Sequence, residues 1–174
     1  MKFTMPFLFI VVMLVGLGCS SSTNPNDDYN KQHTSSKNRL TANGAGFTNS
    51  QWRGYITDSL NFAATNPADG VGSINIAGLT TILKQPFVCM ILVQEAKPGT
   101  YQINSTLQNA ITIQYGEQPA TTLFASSGTI EVKQFGDVGG WAKGSFSGDF
   151  VSLDGKVTMT VTDGAFDVKV VDVQ

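Results

Sequence analysis

Few side chains in this 174-residue chain are of the types that do covalent chemistry. A Ser-His-Asp or Cys-His arrangement needs a base held rigidly against its nucleophile. His33 is the only histidine, and it stands in a polar segment rich in Ser, Asn and Asp that offers no rigid setting. The only cysteines are Cys19 and Cys89, whereas zinc sites draw on several Cys and His ligands together. Cys89 lies in the apolar run Pro86-Phe87-Val88-Cys89-Met90-Ile91-Leu92-Val93, with no nearby positive charge to activate its thiol. It is expected to be a buried small hydrophobe. The carboxylates Glu95, Glu117, Glu131, Asp137, Asp149 and Asp154 would have to supply the acid and base of a glycoside hydrolase. Most of them neighbour Gly, Pro or Lys, a setting that favours solvated surface charge. The sequence has no Asp-x-Asp-x-Asp loop for calcium and no Gly-rich loop leading into Gly-Lys-Ser/Thr for phosphate. No enzyme activity, cofactor or metal is expected.

Aromatics on polar strand faces are the stronger candidates for recognition. Along 141–150, Ala142, Gly144, Phe146, Gly148 and Phe150 share one face, and Trp141, Lys143, Ser145, Ser147 and Asp149 share the other. Along 51–57, Arg53 and Tyr55 lie opposite Trp52 and Ile56. Trp141, Tyr55, Arg53 and Lys143 are therefore the candidate ligand-binding residues. Exposed Trp and Tyr stack on sugar rings or pack in protein interfaces, so a glycan and an envelope protein both remain open as partners. Trp52 is expected in the core.

The elements that must carry these residues are strands. Ile74 and Ile76 alternate with polar neighbours, as do Ile111, Ile113 and Tyr115, and Ile130 and Val132. Near the C-terminus, Val157, Met159 and Val161 form one apolar face, and Phe166, Val168 and Val170 another. Asp154-Gly155 and Asp163-Gly164 suit tight hairpin turns. They predict an antiparallel meander of 141–152, 156–162 and 165–172. Residues 87–93 are apolar on both faces and predict a central strand covered on both sides. One short helical turn fits 57–64. The expected fold class is all-β, an antiparallel β-sandwich or flattened barrel of about eight or nine strands with a C-terminal meander.

The N-terminus places this domain. Lys2 precedes an apolar run from Phe7 to Leu17 that is too short for a bilayer, which takes roughly 20 apolar residues. It has the length of a signal-peptide h-region. Gly16-Leu17-Gly18-Cys19 resembles the lipobox of bacterial lipoproteins, although Gly16 stands where that pattern usually has Leu. The resemblance implies cleavage before Cys19 and acylation of its thiol, hence a membrane anchor. The expected organisation is a lipoprotein signal peptide over 1–18, a disordered tether over 19–45, and a β-sandwich domain over 46–174. Residues of the tether are polar with few apolar side chains, which cannot offset the entropy of ordering. The chain is expected in the cell envelope, at the outer membrane.

Motif order adds a wider likeness. Lys97-Pro98-Gly99-Thr100-Tyr101, Gly128-Thr129-Ile130-Glu131-Val132, Lys143-Gly144-Ser145-Phe146-Ser147-Gly148 and Asp163-Gly164-Ala165-Phe166-Asp167-Val168 follow one another. In this order they resemble small Bacteroidota lipoproteins with a β-sandwich domain of unassigned function. The resemblance implies fold and compartment and supplies no site. Asp58-Ser59-Leu60 looks like the short O-glycosylation acceptor of that phylum, and Asn104-Ser105-Thr106 is an N-x-T sequence.

Charge sets the last bound. The formal net charge is -2, and loss of Lys2 with the signal peptide makes it -3. No basic run occurs in the sequence. Nucleic acid, which calls for clustered Lys and Arg, is not an expected partner. The expected role is a non-enzymatic binding or assembly module, with a structural adaptor as the alternative.

Overall fold

A computed structural model describes residues 34–57, 59–103 and 109–172. These form strands and no helix: β1 (Thr34–Gly44), β2 (Phe47–Tyr55), β3 (Phe62–Thr65), β4 (Gly72–Thr80), β5 (Pro86–Val93), β6 (Gly99–Ile103), β7 (Ala110–Tyr115), β8 (Thr121–Phe135), β9 (Trp141–Ser152) and β10 (Thr158–Val170). The strands β1, β2, β4, β5, β7, β8, β9 and β10 pair in that order, all antiparallel. β10 then pairs with β1, which closes an eight-stranded barrel. The all-β expectation holds; of its two alternatives the barrel forms, closed, and not the sandwich, with ten strands in place of eight or nine. A ring of this size has a lumen just wide enough for its own inward side chains to fill, so one apolar face per strand suffices. Closure also leaves the wall without long free edges.

Two short strands complete the wall where the long ones part. β3 runs parallel to β10 and antiparallel to β4, between them. β6 lies along β8 at residues 128–132, beyond the end of β7. Each junction carries a buried asparagine. Asn38 Oδ1 accepts the Asp167 N–H at 2.7 Å where β1 leaves β10. Asn61 Oδ1 accepts the Ala77 N–H at 2.7 Å where β2 leaves β4, and its Nδ2 donates to the Tyr55 carbonyl. Asn109 Oδ1 accepts the Gln94 N–H at 2.9 Å and its Nδ2 donates to the Gln102 carbonyl at 3.1 Å. A main-chain group that loses its strand partner inside a fold must find another, and the amide side chain supplies both donor and acceptor.

The interior is filled by the alternating residues of every wall strand, among them Leu40, Trp52, Ile74, Ile76, Ile111, Ile113, Leu123, Ile130, Phe150 and Phe166. Phe47, Trp52, Phe87 and Tyr115 cluster at the end that holds the tight turns, with Phe47 and Trp52 edge-to-face at 4.9 Å. Trp52 and Cys89 are fully buried, as expected. Glycine is required where Phe rings lie against the inner wall. A Cβ on Gly144 would stand 2.1 Å from the Glu131 carbonyl oxygen and 2.4 Å from the Phe166 ring. Side chains outside are mostly polar, the reverse of a barrel that faces lipid.

Several sequence expectations are corrected. Residues 34–44, expected in the tether, form β1 of the barrel wall. Only Leu40 and Ala42 on β1 are apolar and buried, too few for composition to separate this strand from a tether. Asp163-Gly164 is not a hairpin turn. β10 continues through it, and the register against β9 jumps between Val161 and Gly164. This is a bulge, with Asp163 at φ 51°. The extra residue moves the inward face from odd to even positions, so Met159 and Val161 and then Phe166, Val168 and Val170 all point inside. A change of parity looks the same in sequence whether the chain reverses or bulges. Asp154-Gly155 does turn the chain between β9 and β10. Among the described residues β5 is covered on one side only: Phe87, Cys89, Ile91 and Val93 point in, and Val88, Met90 and Leu92 lie outside with no second layer over them. The turn expected over 57–64 is reduced to the bonds from Leu60 and Asn61 to the Thr57 carbonyl, after which β3 begins.

Candidate functional site

Trp141 opens β9 on the outer face at the barrel end where β10 finishes. Its main chain is fixed from both sides. The Gly136 N–H donates to the Trp141 carbonyl at 3.0 Å, the Gly139 N–H to the Val170 carbonyl at 2.8 Å, and the Val170 N–H to the Gly140 carbonyl at 2.9 Å. The β8–β9 turn is thus tied to the end of β10, and the ring is presented from a rigid rim. Trp141 is 41% exposed. The Lys143 ammonium lies 5.5 Å from the ring centroid, a cation–π arrangement.

Lys143 also reaches Asp167 on β10, with Nζ 3.6 Å from Oδ2. The same oxygen takes Lys37 of β1 at 3.5 Å. The Asp167 side chain is only 17% exposed, Lys37 is largely in solvent and Lys143 is half-buried. Its main chain is held by Asn38. One carboxylate therefore orders two ammonium groups from opposite neighbouring strands. Exposed pairs of this kind add at most about 1 kcal/mol to stability, so their interest lies in placement.

Arg53 and Tyr55 lie on the outer face of β2, between the inward Trp52 and Gly54. Arg53 Nη2 donates to the Gln51 side chain at 3.3 Å. In register, Arg53 faces Arg39 of β1, Arg39 faces Ala165 of β10, and Ala165 faces Ser145 of β9. Lys169 of β10 faces Trp141. The sequence-predicted residues thus fall on four adjacent strands, β2, β1, β10 and β9, at one end of the wall. At about 4.8 Å per strand step, Arg53 and Ser145 stand roughly 14 Å apart across it, while Tyr55 and Trp141 lie nearer the rim, where β1 has parted from β10 and β3 lies beside Lys169. They do not touch one sugar ring together. They mark the two sides of a band.

The band contains residues the sequence reading did not place in a site. Lys37 and Arg39 fall in the expected tether, and Asp167 and Lys169 alternate with the apolar Phe166, Val168 and Val170. The alternation Lys37-Asn38-Arg39-Leu40-Thr41-Ala42 was the available signal for β1. Toward the tight-turn end the same face changes character. A groove there is lined by Thr129, Glu131, Ser145, Ser147, Thr162 and Asp163. Glu131 accepts from the Ser145 hydroxyl at 3.1 Å, and Asp149 accepts from Thr160 at 2.9 Å and Ser127 at 3.3 Å. These carboxylates are engaged with hydroxyls of the wall.

Among the described residues no group of His, Cys, Asp and Glu is arranged to hold a metal ion. Burial raises the pKa of the Cys89 thiol far above its ordinary value. Asp154 is held below the ordinary carboxylate range, first by the Ser152 hydroxyl and then by Lys156. Cys19, His33, Asp58 and the Asn104-Ser105-Thr106 sequence lie outside the described residues. No known protein family, curated protein or solved structure matches this chain.

Proposed function

We propose that this chain is an envelope lipoprotein, anchored through acylated Cys19 at the outer membrane, whose barrel is a non-enzymatic glycan-binding module. The observation that carries the binding reading is Trp141: an indole held at a rigid rim, 41% exposed and 5.5 Å from a lysine ammonium. An exposed Trp on fixed backbone offers a stacking surface with little ordering cost, which is what recognition of a sugar ring asks for. Tyr55 at the other side of the band supports an extended saccharide over a single ring. Hydroxyl and carboxylate side chains between and beside them suit a ligand rich in hydroxyl groups.

The anchor rests on the residues around Cys19. The first described residue, Thr34, enters β1 at the same barrel end as Trp141. Labelled palmitate incorporated by the wild-type chain and not by Cys19→Ala tests the anchor. A glycan array probed with the purified full chain tests the binding, with Trp141→Ala as control. Loss of array signal in that variant supports the reading, and unchanged signal removes Trp141 from the site. An adaptor role is favoured instead by the opposite barrel end, where Ile82 is 67%, Leu83 57% and Leu153 92% exposed in the β4–β5 and β9–β10 turns.

A further inference from the structure

The charge on the Trp141 face is divided along the strands. On β2, β1, β10 and β9, the half nearest Trp141 carries Arg53, Lys37, Arg39, Lys169 and Lys143 around the single carboxylate of Asp167. The other half carries Asp163 and Asp149 with Ser147, Thr160 and Thr162. This separation is invisible in a chain of formal charge -2, because the cations come from positions far apart in sequence. Neighbouring groups temper the band without cancelling it. Glu131 on β8 is taken up by Ser145 and by Lys133 at 3.9 Å, and Asp137 and Asp172 lie in the segments after β8 and β10.

From this geometry, and resting on the glycan reading above, we infer that the ligand is an acidic oligosaccharide, with its carboxylate or sulfate groups on the band between Tyr55 and Trp141. Three strand steps from Arg53 through Arg39 and Ala165 to Ser145 cover roughly 14 Å, the length of a short run of sugar rings, with Tyr55 and Trp141 at the rim beyond. Asp167 holds the Lys37 and Lys143 ammoniums over the middle of that span, 3.5 and 3.6 Å from its oxygen. An arginine fork and fixed ammoniums are suited to carboxylate and sulfate oxygens. The acidic half of the face argues for a saccharide over other polyanions. A nucleic-acid backbone or an anionic lipid surface presents negative charge continuously and would meet Asp149 and Asp163. A sugar chain carries its charge at discrete positions and fills the remainder with hydroxyl groups, which the Ser, Thr and carboxylate groove can bond.

The test is a binding titration of the purified full chain with oligogalacturonate and with its methyl ester, the same sugars without the charge. A short DNA duplex, a heparin fragment and vesicles of anionic lipid serve as competing polyanions. At low salt the acidic sugar is expected to bind at least about tenfold more tightly than the ester. That preference should shrink as ionic strength rises and the Debye length falls from about 10 Å at 0.1 M to about 3 Å at 1 M. Lys143→Gln and Lys169→Gln, each checked for an unchanged unfolding midpoint, should reduce the acid preference several-fold. Trp141→Ala should weaken acid and ester alike. Equal binding of acid and ester, with Trp141 still required, overturns the acidic class and leaves the glycan reading standing. Binding of DNA or vesicles as tight as the best acidic saccharide overturns it in favour of a general polyanion surface. Binding of none of the saccharides overturns both.

Discussion

Removal of the Asn61 side chain tests whether the amide staples hold this wall. Asn61 is 3% exposed and sits where β2 separates from β4. Its Oδ1 is the partner of the Ala77 N–H at 2.7 Å, and its Nδ2 serves the Tyr55 carbonyl. In Asn61→Ala both bonds are lost and the Ala77 N–H is left buried. Each net hydrogen bond is worth about 0.5–1.5 kcal/mol and an orphaned buried group costs about 1–3 kcal/mol, so a loss of roughly 2–4 kcal/mol is expected. In urea, with a slope of about 2 kcal/mol per M, the midpoint should fall by roughly 1–2 M at unchanged slope. Asn66→Ala is the control, because its Oδ1 bonds the Ala68 N–H at 3.0 Å in an exposed turn that water can replace. That variant should move the midpoint several-fold less. Equal shifts in the two variants would refute the claim that the junctions depend on buried amides. Tyr55 takes its main-chain bond from Asn61, so the Asn61 variant should also weaken ligand binding by the folded fraction.

Other perturbations follow from the same geometry. Gly144→Ala places a Cβ 2.1 Å from the Glu131 carbonyl oxygen, which main chain cannot yield cheaply, and should lower the thermal midpoint by several degrees or prevent folding; an unchanged midpoint would contradict the close approach of β8 and β9. A chain that begins at Phe47 lacks β1, which bonds both β2 and β10, and should show no cooperative unfolding, whereas a chain that begins at Thr34 should unfold in one transition. Burial raises the Cys89 pKa above its unfolded value of about 8.5, so its share of stability is full below that pH and falls as pH rises further. Unfolding free energy should therefore drop less steeply above about pH 8.5 in Cys89→Ala than in the wild type, and the native thiol should resist a disulfide reagent until denaturant is added.

How much of this was legible in sequence depends on what each residue's neighbours had to decide. Period-2 alternation at Ile74 and Ile76, Ile111 and Ile113, and along 141–150 identified inward and outward faces correctly, because alternation is a local property of an extended chain. Closure was not legible. It depends on β10 meeting β1 across most of the sequence, and β1 announces itself with only Leu40 and Ala42. Asp163-Gly164 was read as a turn because a bulge and a hairpin use the same residue types at positive φ. β5 was read as doubly covered because Val88, Met90 and Leu92 are apolar, yet a single-walled barrel leaves that face outside. Trp141, Lys143, Arg53 and Tyr55 do lie on outward positions as alternation implies, while Lys37, Arg39 and Lys169 join them on one face only through strand register, which alternation does not reveal.

That last point bears on how charge in a β-barrel should be judged. The sequence has no basic run, the ground on which nucleic acid is not an expected partner. A run is the signature of a helix or a tail, where neighbours in sequence share a surface. In a barrel, neighbours on the surface are register partners, and here the register sets Arg53 beside Arg39 and Asp167 beside Lys143. Net charge is equally uninformative, since Asp149 and Asp163 sit on the same strands a few residues away. What distinguishes possible anionic partners is therefore the sign change along the strands. A ligand charged along its whole length meets attraction at one end of the face and repulsion at the other. A ligand charged at intervals can place acid groups on the lysines and hydroxyl groups on the carboxylates. If salt weakens binding of oligogalacturonate more than that of its ester, the attractive half carries the specificity; if Asp149→Asn then admits DNA, the repulsive half was enforcing it.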